Sequence, residues 1–364
     1  MDGLRFFAIF TVLLYHMNTA YVKQLGMNLN DWKDAVGSDA IFQIGWWFIR
    51  LDVGVKVFFA ISGFILSLPF FKAYLFDGKK VNLKEYFIRR LIRLEPPFII
   101  TLIGFYFVHV FVLNANAFKL LPHFFAGLIY SHVLIFGRGN PINPVTWSLE
   151  TEAQFYLILP FLFFVFFNIK TNLGRAIFSI VLILLSIYAK HYFYYHGIGH
   201  FSSTILAYFT NFAVGIFFAY LYLKKVLYFK KDRNIFFDLI AVFSVFIMFW
   251  FYKPQAAWYN NILLNLSILG LFVSAFKGSI SNWFYTRPFI FLIGGMCYSI
   301  YLLHFALFFL LVKYTGLISV GQGYWLDFFI QFLLLFPSVI LVSAIFYLFI
   351  EKPFMDKKWI HKRV

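Results

Sequence analysis

The chain is built from apolar blocks that are long enough to cross a lipid bilayer. Each block runs for about 17 to 25 residues, and a helix needs about 20 residues to cross a hydrocarbon core of about 30 Å. With 62% hydrophobic and only 13% charged residues, the chain has too little polar surface to cover a water-soluble globule. A transmembrane β-barrel would instead alternate apolar and polar positions in segments of about ten residues. We therefore predict an all-α integral membrane protein.

The breaks between the blocks predict ten transmembrane helices in one domain, with no appended soluble domain. The predicted spans lie near residues 4–21, 52–71, 95–114, 148–167, 175–193, 203–223, 235–252, 258–276, 288–312 and 326–350. The stretch 118–136 is apolar but short and contains Pro122, His123 and His132. We interpret it as a re-entrant or interfacial segment within a long extracytoplasmic loop, residues 115–147.

The distribution of basic residues orients the predicted helices. With an even number of spans both termini lie on one side, and that side receives 22 of the 31 Lys and Arg residues, seven of them in the loop 72–94. The positive-inside rule then places both termini in the cytoplasm. A net charge of +16 would suggest nucleic-acid binding in a soluble protein. In a membrane protein the same charge orients the chain in the bilayer, and we expect no nucleic-acid partner.

The single cysteine, Cys297, excludes an intramolecular disulfide.

The first predicted span contains ionisable residues on one helix face. Arg5 and His16 are eleven positions apart, which at about 100° per residue leaves them about 20° apart around the helix and about 16 Å apart along it. Ionisable groups inside a span are costly and are therefore functional candidates. Arg5 alone could be an anchor that reaches the headgroups, and His16 could be a histidine satisfied by an interhelical hydrogen bond. Because the two side chains share a face, we favour a functional role in which both line one path along the helix.

A second cluster lies at the start of the third predicted span. Arg90 and Arg93 have an i, i+3 spacing and face the same way, so their planar guanidinium groups can bind one polyanion together. Pro96 interrupts the helical hydrogen bonds just beyond them. The alternative is that these arginines only mark the cytoplasmic end of the span and bind no ligand.

A third cluster follows Trp147, where two carboxylates enter an apolar span. Glu152 is the deeper and shares a face with Ser148 and Tyr156, four residues away on either side. A buried carboxylate there could orient a histidine or bind a substrate hydroxyl. The alternative is that the carboxylate is simply solvated at the outer end of the span. We adopt this alternative for Glu150.

Two further segments predict supporting residues. Ser62 and Gly63 form a small step that lets a neighbouring helix approach closely, which favours a packing role. In the ninth span Tyr301 and His304 share a face, and His304 could be structural or could line the site.

No resident cofactor or metal site is expected. His191, His196 and His200 include an i, i+4 pair, but it lies in an aromatic loop without a nearby carboxylate. The chain also has no Walker motif, no dinucleotide fingerprint and no nucleophile elbow.

Taken together, five segments resemble, in order, the motifs of the type 3 membrane acyltransferase family, the bacterial transmembrane O-acyltransferases. They are Asp2, Gly3, Leu4, Arg5 and His16; residues 54–64; Arg90, Arg93, Leu94 and Pro96; Trp147, Ser148, Leu149, Glu152, Phe155, Tyr156, Leu157 and Pro160; and Tyr298, Ser299, Tyr301, Leu302 and His304.

The resemblance implies acyl transfer, usually of acetyl, from cytoplasmic acyl-CoA to a carbohydrate hydroxyl across the bacterial inner membrane. It implies that His16 is the catalytic base, that Arg5 supports the donor end and that Arg90 and Arg93 grip the CoA phosphates. Many members have two adjacent glutamates where this chain has Glu152 followed by alanine, so the role of Glu152 stays open. Asp2, Ser62, Trp147, Tyr156, Tyr301 and His304 are implied as supporting residues.

Two other functions remain open from the sequence. A carrier or flippase for a polyprenyl-linked or other anionic glycan would use the same buried charges as a translocation path, although such carriers often contain internal repeats and we find none. A purely structural scaffold is the third interpretation, which the aligned intramembrane charges oppose. The acceptor, for example O-antigen, exopolysaccharide or a peptidoglycan precursor, is not identified by the sequence.

Overall fold

The computed structural model describes residues 1–76, 78–225, 233–252 and 258–355. All regular elements in these ranges are helical, which confirms the predicted fold class. The first eleven helices are α1 (Asp2–Gln24), α2 (Leu29–Val36), α3 (Ile44–Phe48), α4 (Gly54–Leu75), α5 (Leu83–Phe107), α6 (Ala117–Leu128), α7 (His132–Phe136), α8 (Trp147–Asn168), α9 (Asn172–Tyr195), α10 (Gly199–Ser202) and α11 (Ile205–Leu223). The remaining seven are α12 (Phe236–Phe251), α13 (Trp258–Lys277), α14 (Ser279–Tyr285), α15 (Pro288–Gly295), α16 (Cys297–Thr315), α17 (Tyr324–Phe346) and α18 (Lys352–Met355).

Eight helical stretches within the described ranges are long and apolar enough to cross a membrane. Each overlaps one of the ten predicted spans. They are Ile44–Leu75, Leu83–Val112, Pro144–Asn168, Asn172–Tyr195, Gly199–Leu223, Trp258–Lys277, Cys297–Thr315 and Tyr324–Met355. The protein is therefore a multi-pass membrane protein.

The two other predicted spans correspond to α1 and α12. Helix α1 has 23 residues, which at about 1.5 Å per residue is long enough to cross, but it carries several polar side chains. Helix α12 is apolar but has only 16 residues. The count of ten spans and the cytoplasmic termini stay predictions, and the basic residues that we placed on the cytoplasmic side within 226–232 and 356–364 lie outside the described ranges.

The stretch 118–136 forms two short helices, α6 and α7, and does not form one long helix. Helix α6 has 12 residues and contains Pro122, and α7 has five residues and ends at Gly137 in the left-handed conformation. Neither helix is long enough to cross a bilayer, so the choice not to count this stretch as a span is consistent with its structure.

The prediction of one continuous helix over 288–312 is wrong. The helix ends at Gly295 and a new helix starts at Cys297, with Met296 outside helical geometry. Two successive glycines weaken the helix at this point. Gly294 has a further role, because any side chain there would collide with the backbone of Asp2 in α1.

Helix α1 is surrounded by other helices along its length. It packs against α4 on one side and against α15, α16 and α17 on the other. This central position explains why Ala8, Ile9, Val12 and Leu13 are fully or almost fully buried. Polar side chains in the middle of α1, such as Thr11 and Asn18, therefore face protein rather than lipid.

Helices α4 and α11 form the most extensive helix pair in the described part of the chain. Gly63 of α4 lies against the backbone of Phe212, and Gly215 of α11 lies against the backbone of Ala60. A Cβ at either glycine would overlap the opposite helix. The packing role predicted for Gly63 is confirmed, and small residues of this kind are a common means of helix association in membranes.

We expect Gly215→Ala to destabilise the protein, because the added methyl group forces α4 and α11 apart at a cost of about 1–3 kcal/mol. Gly104→Ala is the matched control, since a Cβ at Gly104 meets no atom within 4 Å and alanine favours a helix over glycine. Thermal unfolding of the purified proteins in detergent should give a lower Tm for Gly215→Ala alone. Equal Tm values for the two variants would contradict this packing.

Candidate active site

A cavity of about 500 Å³ lies between α1, α4, α5, α8 and α16. This volume is typical of small-molecule sites. Its polar lining comes from five helices and combines arginines, hydroxyl groups, one carboxylate and one thiol: Arg5, Ser62, Arg89, Arg90, Arg93, Ser148, Glu152, Tyr156, Cys297, Tyr298 and Tyr301. The structure therefore brings together most of the residues that the sequence selected.

The paired arginines of α5 line the cavity and are only partly satisfied by hydrogen bonds within the protein. The guanidinium group of Arg90 stacks on the Tyr86 ring at 3.8 Å from its centroid, and Arg90 Nη1 donates to the Tyr86 carbonyl oxygen at 2.8 Å. The Nε atoms of Arg90 and Arg93 are buried and have no hydrogen-bond partner among the described residues. A buried donor without a partner costs about 1–3 kcal/mol, which an anionic ligand would relieve.

Arg5 contributes the third guanidinium group, from α1. Its Nη1 lies 2.5 Å from Asp2 Oδ1, so the two residues form an ion pair one turn apart. The predicted supporting residue Asp2 thus contacts Arg5 directly and fixes it at the cavity wall.

Glu152 is the carboxylate within the cavity lining. Ser62 donates a hydrogen bond to Glu152 Oε1, and the Tyr156 hydroxyl group also hydrogen-bonds this carboxylate. Glu152 is thus held by two predicted supporting residues on the arginine side of the cavity. Trp147 lies outside the lining and packs against Phe59 at 6.2 Å between ring centroids.

Tyr301 forms the wall between the cavity and the histidines. Its hydroxyl group donates to the Val145 carbonyl oxygen and hydrogen-bonds Ser148 at 2.6 Å. Its ring lies 5.8 Å from the His304 ring, centroid to centroid.

His16 and His304 form a hydrogen-bonded pair between α1 and α16. His16 Nδ1 lies 2.9 Å from His304 Nε2. His304 Nδ1 lies 2.8 Å from the Tyr301 carbonyl oxygen and 3.1 Å from that of Ile300. Carbonyl oxygens only accept, so His304 Nδ1 carries the proton. With both rings neutral, His16 Nδ1 must donate to His304, and the lone pair of His16 Nε2 remains available as a base.

The residue that orients His16 is therefore His304. The sequence left two roles open for Glu152, orienting a histidine or binding a hydroxyl group. The described hydrogen bonds of Glu152 go to Ser62 and Tyr156, so the structure supports only the second role.

Two carboxylates differ from the sequence interpretation. Glu150 is 2% exposed and accepts a hydrogen bond from the Val133 backbone at 2.9 Å, so its solvation at an outer rim is wrong. Glu351 was missed because the last predicted span ended one residue earlier. Its Oε2 accepts from the backbone N–H and the hydroxyl group of Ser299, and it interacts electrostatically with Arg93.

A second histidine pair joins α6 to α7. His123 Nδ1 lies 2.8 Å from His132 Nε2, and His132 Nδ1 lies 3.1 Å from the Arg138 carbonyl oxygen. Burial lowers the pKa of His132 to about 4, so the ring is neutral at pH 7. The hydrogen bond between His123 and His132 therefore connects α6 to α7.

Comparison with known proteins connects this site to a family. The family model Acyl_transf_3, described as an acyltransferase domain, matches residues 1–348. SACOL0978 of Staphylococcus aureus (strain COL), named provisionally as an O-acetyltransferase, is 26% identical over 389 residues, covering 97% of this chain and 56% of the relative. O-acetyltransferase OatA of Staphylococcus aureus (strain NCTC 8325 / PS 47) is 26% identical over 386 residues, covering 98% of this chain and 57% of the relative.

The chain thus spans little more than half the length of these curated relatives. The comparison with solved structures found no match.

The cavity charge can be measured through Cys297, the single cysteine of the chain, which lines it. We expect an anionic methanethiosulfonate reagent to label Cys297 several times faster than a cationic one, after each rate is divided by the rate with a free thiol. The arginines raise the local concentration of anions. Arg90→Gln should bring the ratio towards one, and Cys297→Ser controls for labelling elsewhere. A ratio that is the same with and without Arg90 would contradict a positively charged cavity.

Proposed function

Because the chain belongs to the Acyl_transf_3 family of acyltransferase domains, we propose that it is a membrane O-acyltransferase. It moves an acyl group, in the simplest case acetyl, from cytoplasmic acyl-CoA to a hydroxyl group of a cell-surface carbohydrate. The observation that carries this proposal is the His16–His304 hydrogen bond beside a cavity lined by arginines. A hydrogen bond that fixes the tautomer of His16, beside a cavity suited to a polyanionic donor, supports this proposal.

The donor binds at the arginine end of the cavity. Arg90 and Arg93 both line the cavity, and their planar guanidinium groups suit the phosphate oxygens of CoA. The apolar part of the lining, with Phe58, Ile61 and Ile65, suits the pantetheine arm. The thioester then lies near Tyr301, between the arginines and the histidine pair.

The chemical step needs one base. His16 Nε2 takes the proton of the acceptor hydroxyl group while its oxygen attacks the thioester carbon. The carbon–sulfur bond then breaks, the acyl group stays on the acceptor oxygen, and the CoA thiolate takes the proton back from His16. His304 acts as a positioning residue that fixes the tautomer of His16, and Glu152 accepts a hydrogen bond from a substrate hydroxyl group.

The predicted topology gives the reaction its direction. With both termini in the cytoplasm, the arginines lie near the cytoplasmic face and His16 lies about 16 Å further along α1. The acyl group therefore crosses most of the membrane within the protein and is received on the opposite side, which suits a bacterial inner-membrane enzyme.

We expect His16→Ala to lower kcat for acetyl transfer by about 10²–10⁴-fold, the usual contribution of a general base. CoA binding and Tm should change little. Transfer of radiolabelled acetyl groups from acetyl-CoA to a glycan acceptor by the purified protein in vesicles measures this. His191→Ala, at an exposed position near the end of α9, is the matched control. Wild-type-like transfer by His16→Ala would exclude His16 as the base, and transport of the glycan without covalent label would instead favour a carrier.

We expect Arg90→Ala to weaken CoA binding by about ten- to a hundredfold, which corresponds to the loss of a hydrogen bond to a charged group. Isothermal titration with CoA in detergent measures the Kd. Arg287→Ala is the matched control, because Arg287 is exposed and stacks on Trp283 far from the cavity lining. An unchanged Kd for Arg90→Ala would contradict CoA binding by the α5 arginines and would leave them only a role in orienting the chain in the membrane.

A further inference from the structure

A second polar cluster lies at the opposite end of α4 from the arginines. Arg90 stacks on Tyr86, whose ring contacts Phe70 of α4 at 5.5 Å between centroids. Lys56 precedes Phe70 by fourteen residues, about 21 Å along the helix. We call this second group the lysine cluster. It consists of Asp52, Lys56, Lys190, Tyr208, Tyr252 and Asn261, from α4 and its preceding turn, α9, α11, the end of α12 and α13.

The one carboxylate of the lysine cluster is already neutralised. Tyr252 donates to Asp52 Oδ2 at 2.5 Å and accepts from Lys56 Nζ at 2.6 Å, and Lys56 Nζ lies 3.5 Å from Asp52 Oδ2. Asp52, Tyr252 and Lys56 therefore form a closed triad with no net charge.

Lys190 adds a second amino group, and the described residues of the cluster include no second carboxylate to pair with it. Its Nζ donates to the neutral Asn261 Oδ1 at 2.9 Å. Both lysines also lie over one ring, with Lys56 Nζ 5.7 Å and Lys190 Nζ 5.3 Å from the Tyr208 centroid. An ammonium group in a low-dielectric interior costs several kcal/mol unless an anion compensates it. The ring and the amide compensate only part of that cost.

The amides beside Lys190 leave a further group unsatisfied. Asn265 donates to the Asn261 carbonyl oxygen at 2.7 Å, and Asn211 donates to Asn265 Oδ1 at 2.8 Å. Asn211 is 2% exposed, and its own Oδ1 has no hydrogen-bond partner among the described residues. A hydroxyl-rich ligand would satisfy this acceptor.

The lysine cluster is continuous with the histidine pair and is not sealed. Tyr15 precedes His16, with 5.2 Å between their ring centroids, and interacts electrostatically with Asp52. Trp147 lies 5.4 Å from the Tyr208 ring. The Asp52 side chain is 30% exposed, so the triad is not completely buried.

We propose that the lysine cluster binds an anionic group, a carboxylate or a phosphate, on the acceptor glycan, with Lys190 as its principal contact. This inference rests on the proposed acyl transfer and names the substrate class: a hydroxylated sugar that carries negative charge. The anion completes the charge balance of the two lysines and the single aspartate. Its binding holds a neighbouring sugar hydroxyl group towards His16.

The test measures binding without the donor, so that it is independent of acyl transfer. The protein is placed in nanodiscs of zwitterionic lipid, and methyl β-glucuronide, glucose 6-phosphate and neutral methyl β-glucoside are titrated by calorimetry. We expect at least one anionic sugar to bind about tenfold or more tightly than the glucoside. Equal affinities, or no binding of either anionic sugar, would overturn the proposal, whereas failure of the labelled transfer described above would overturn the proposed function.

Substitutions at Lys190 test whether this residue causes the preference for an anionic sugar over the neutral glucoside. Lys190→Met should bring the ratio of the two affinities close to one, because it removes one hydrogen bond to a charged group, and Lys190→Arg should retain most of the preference. Lys119→Met, at an exposed position in the first turn of α6, is the matched control. A preference that survives Lys190→Met would contradict the assignment. If anionic lipid in the nanodisc abolishes the preference when ionic strength is held constant, the cluster is a lipid-headgroup site instead.

Discussion

The cost of placing an unpartnered polar group in hydrocarbon governs this structure. Each such group must find its partner within the protein, so the few polar side chains of an apolar chain gather where helices meet. Helix α1 is the clearest case, because it carries Arg5 and His16 and is surrounded by other helices. The apolar majority of the chain provides the enclosure, and the polar minority is forced into a small number of shared sites.

The polar groups occupy two separate regions along α4, with different charge balances. At one end the arginines face a cavity with one lining carboxylate, Glu152. At the other end the described residues of the lysine cluster include two lysines and one carboxylate, Asp52. Between the two regions, Tyr301 and the His16–His304 pair contain no formal charge when both rings are neutral. The proposed reaction uses this arrangement by binding one anionic substrate at each end, with the base between them.

Sequence periodicity located most of the site because intramembrane charges are rare and therefore informative. It placed Arg5 and His16 on one face, and the structure agrees. It could not find the His16–His304 hydrogen bond, since the two residues are 288 positions apart and no single-helix pattern reports on contacts between helices. The break at Met296 was missed because the apolar run is continuous there and outweighed the two successive glycines, whereas the close approach of α1 to Gly294 is visible only in the structure.

The length of α12 has a consequence for the surrounding lipid if this helix crosses the membrane as the sequence predicts. With 16 residues it is about 24 Å long, several Å less than a typical hydrocarbon core of about 30 Å. A bilayer meets such a mismatch by becoming thinner around the protein. Tyr252, which follows the last residue of α12, would then lie nearer to the polar headgroups than the end of a full-length span.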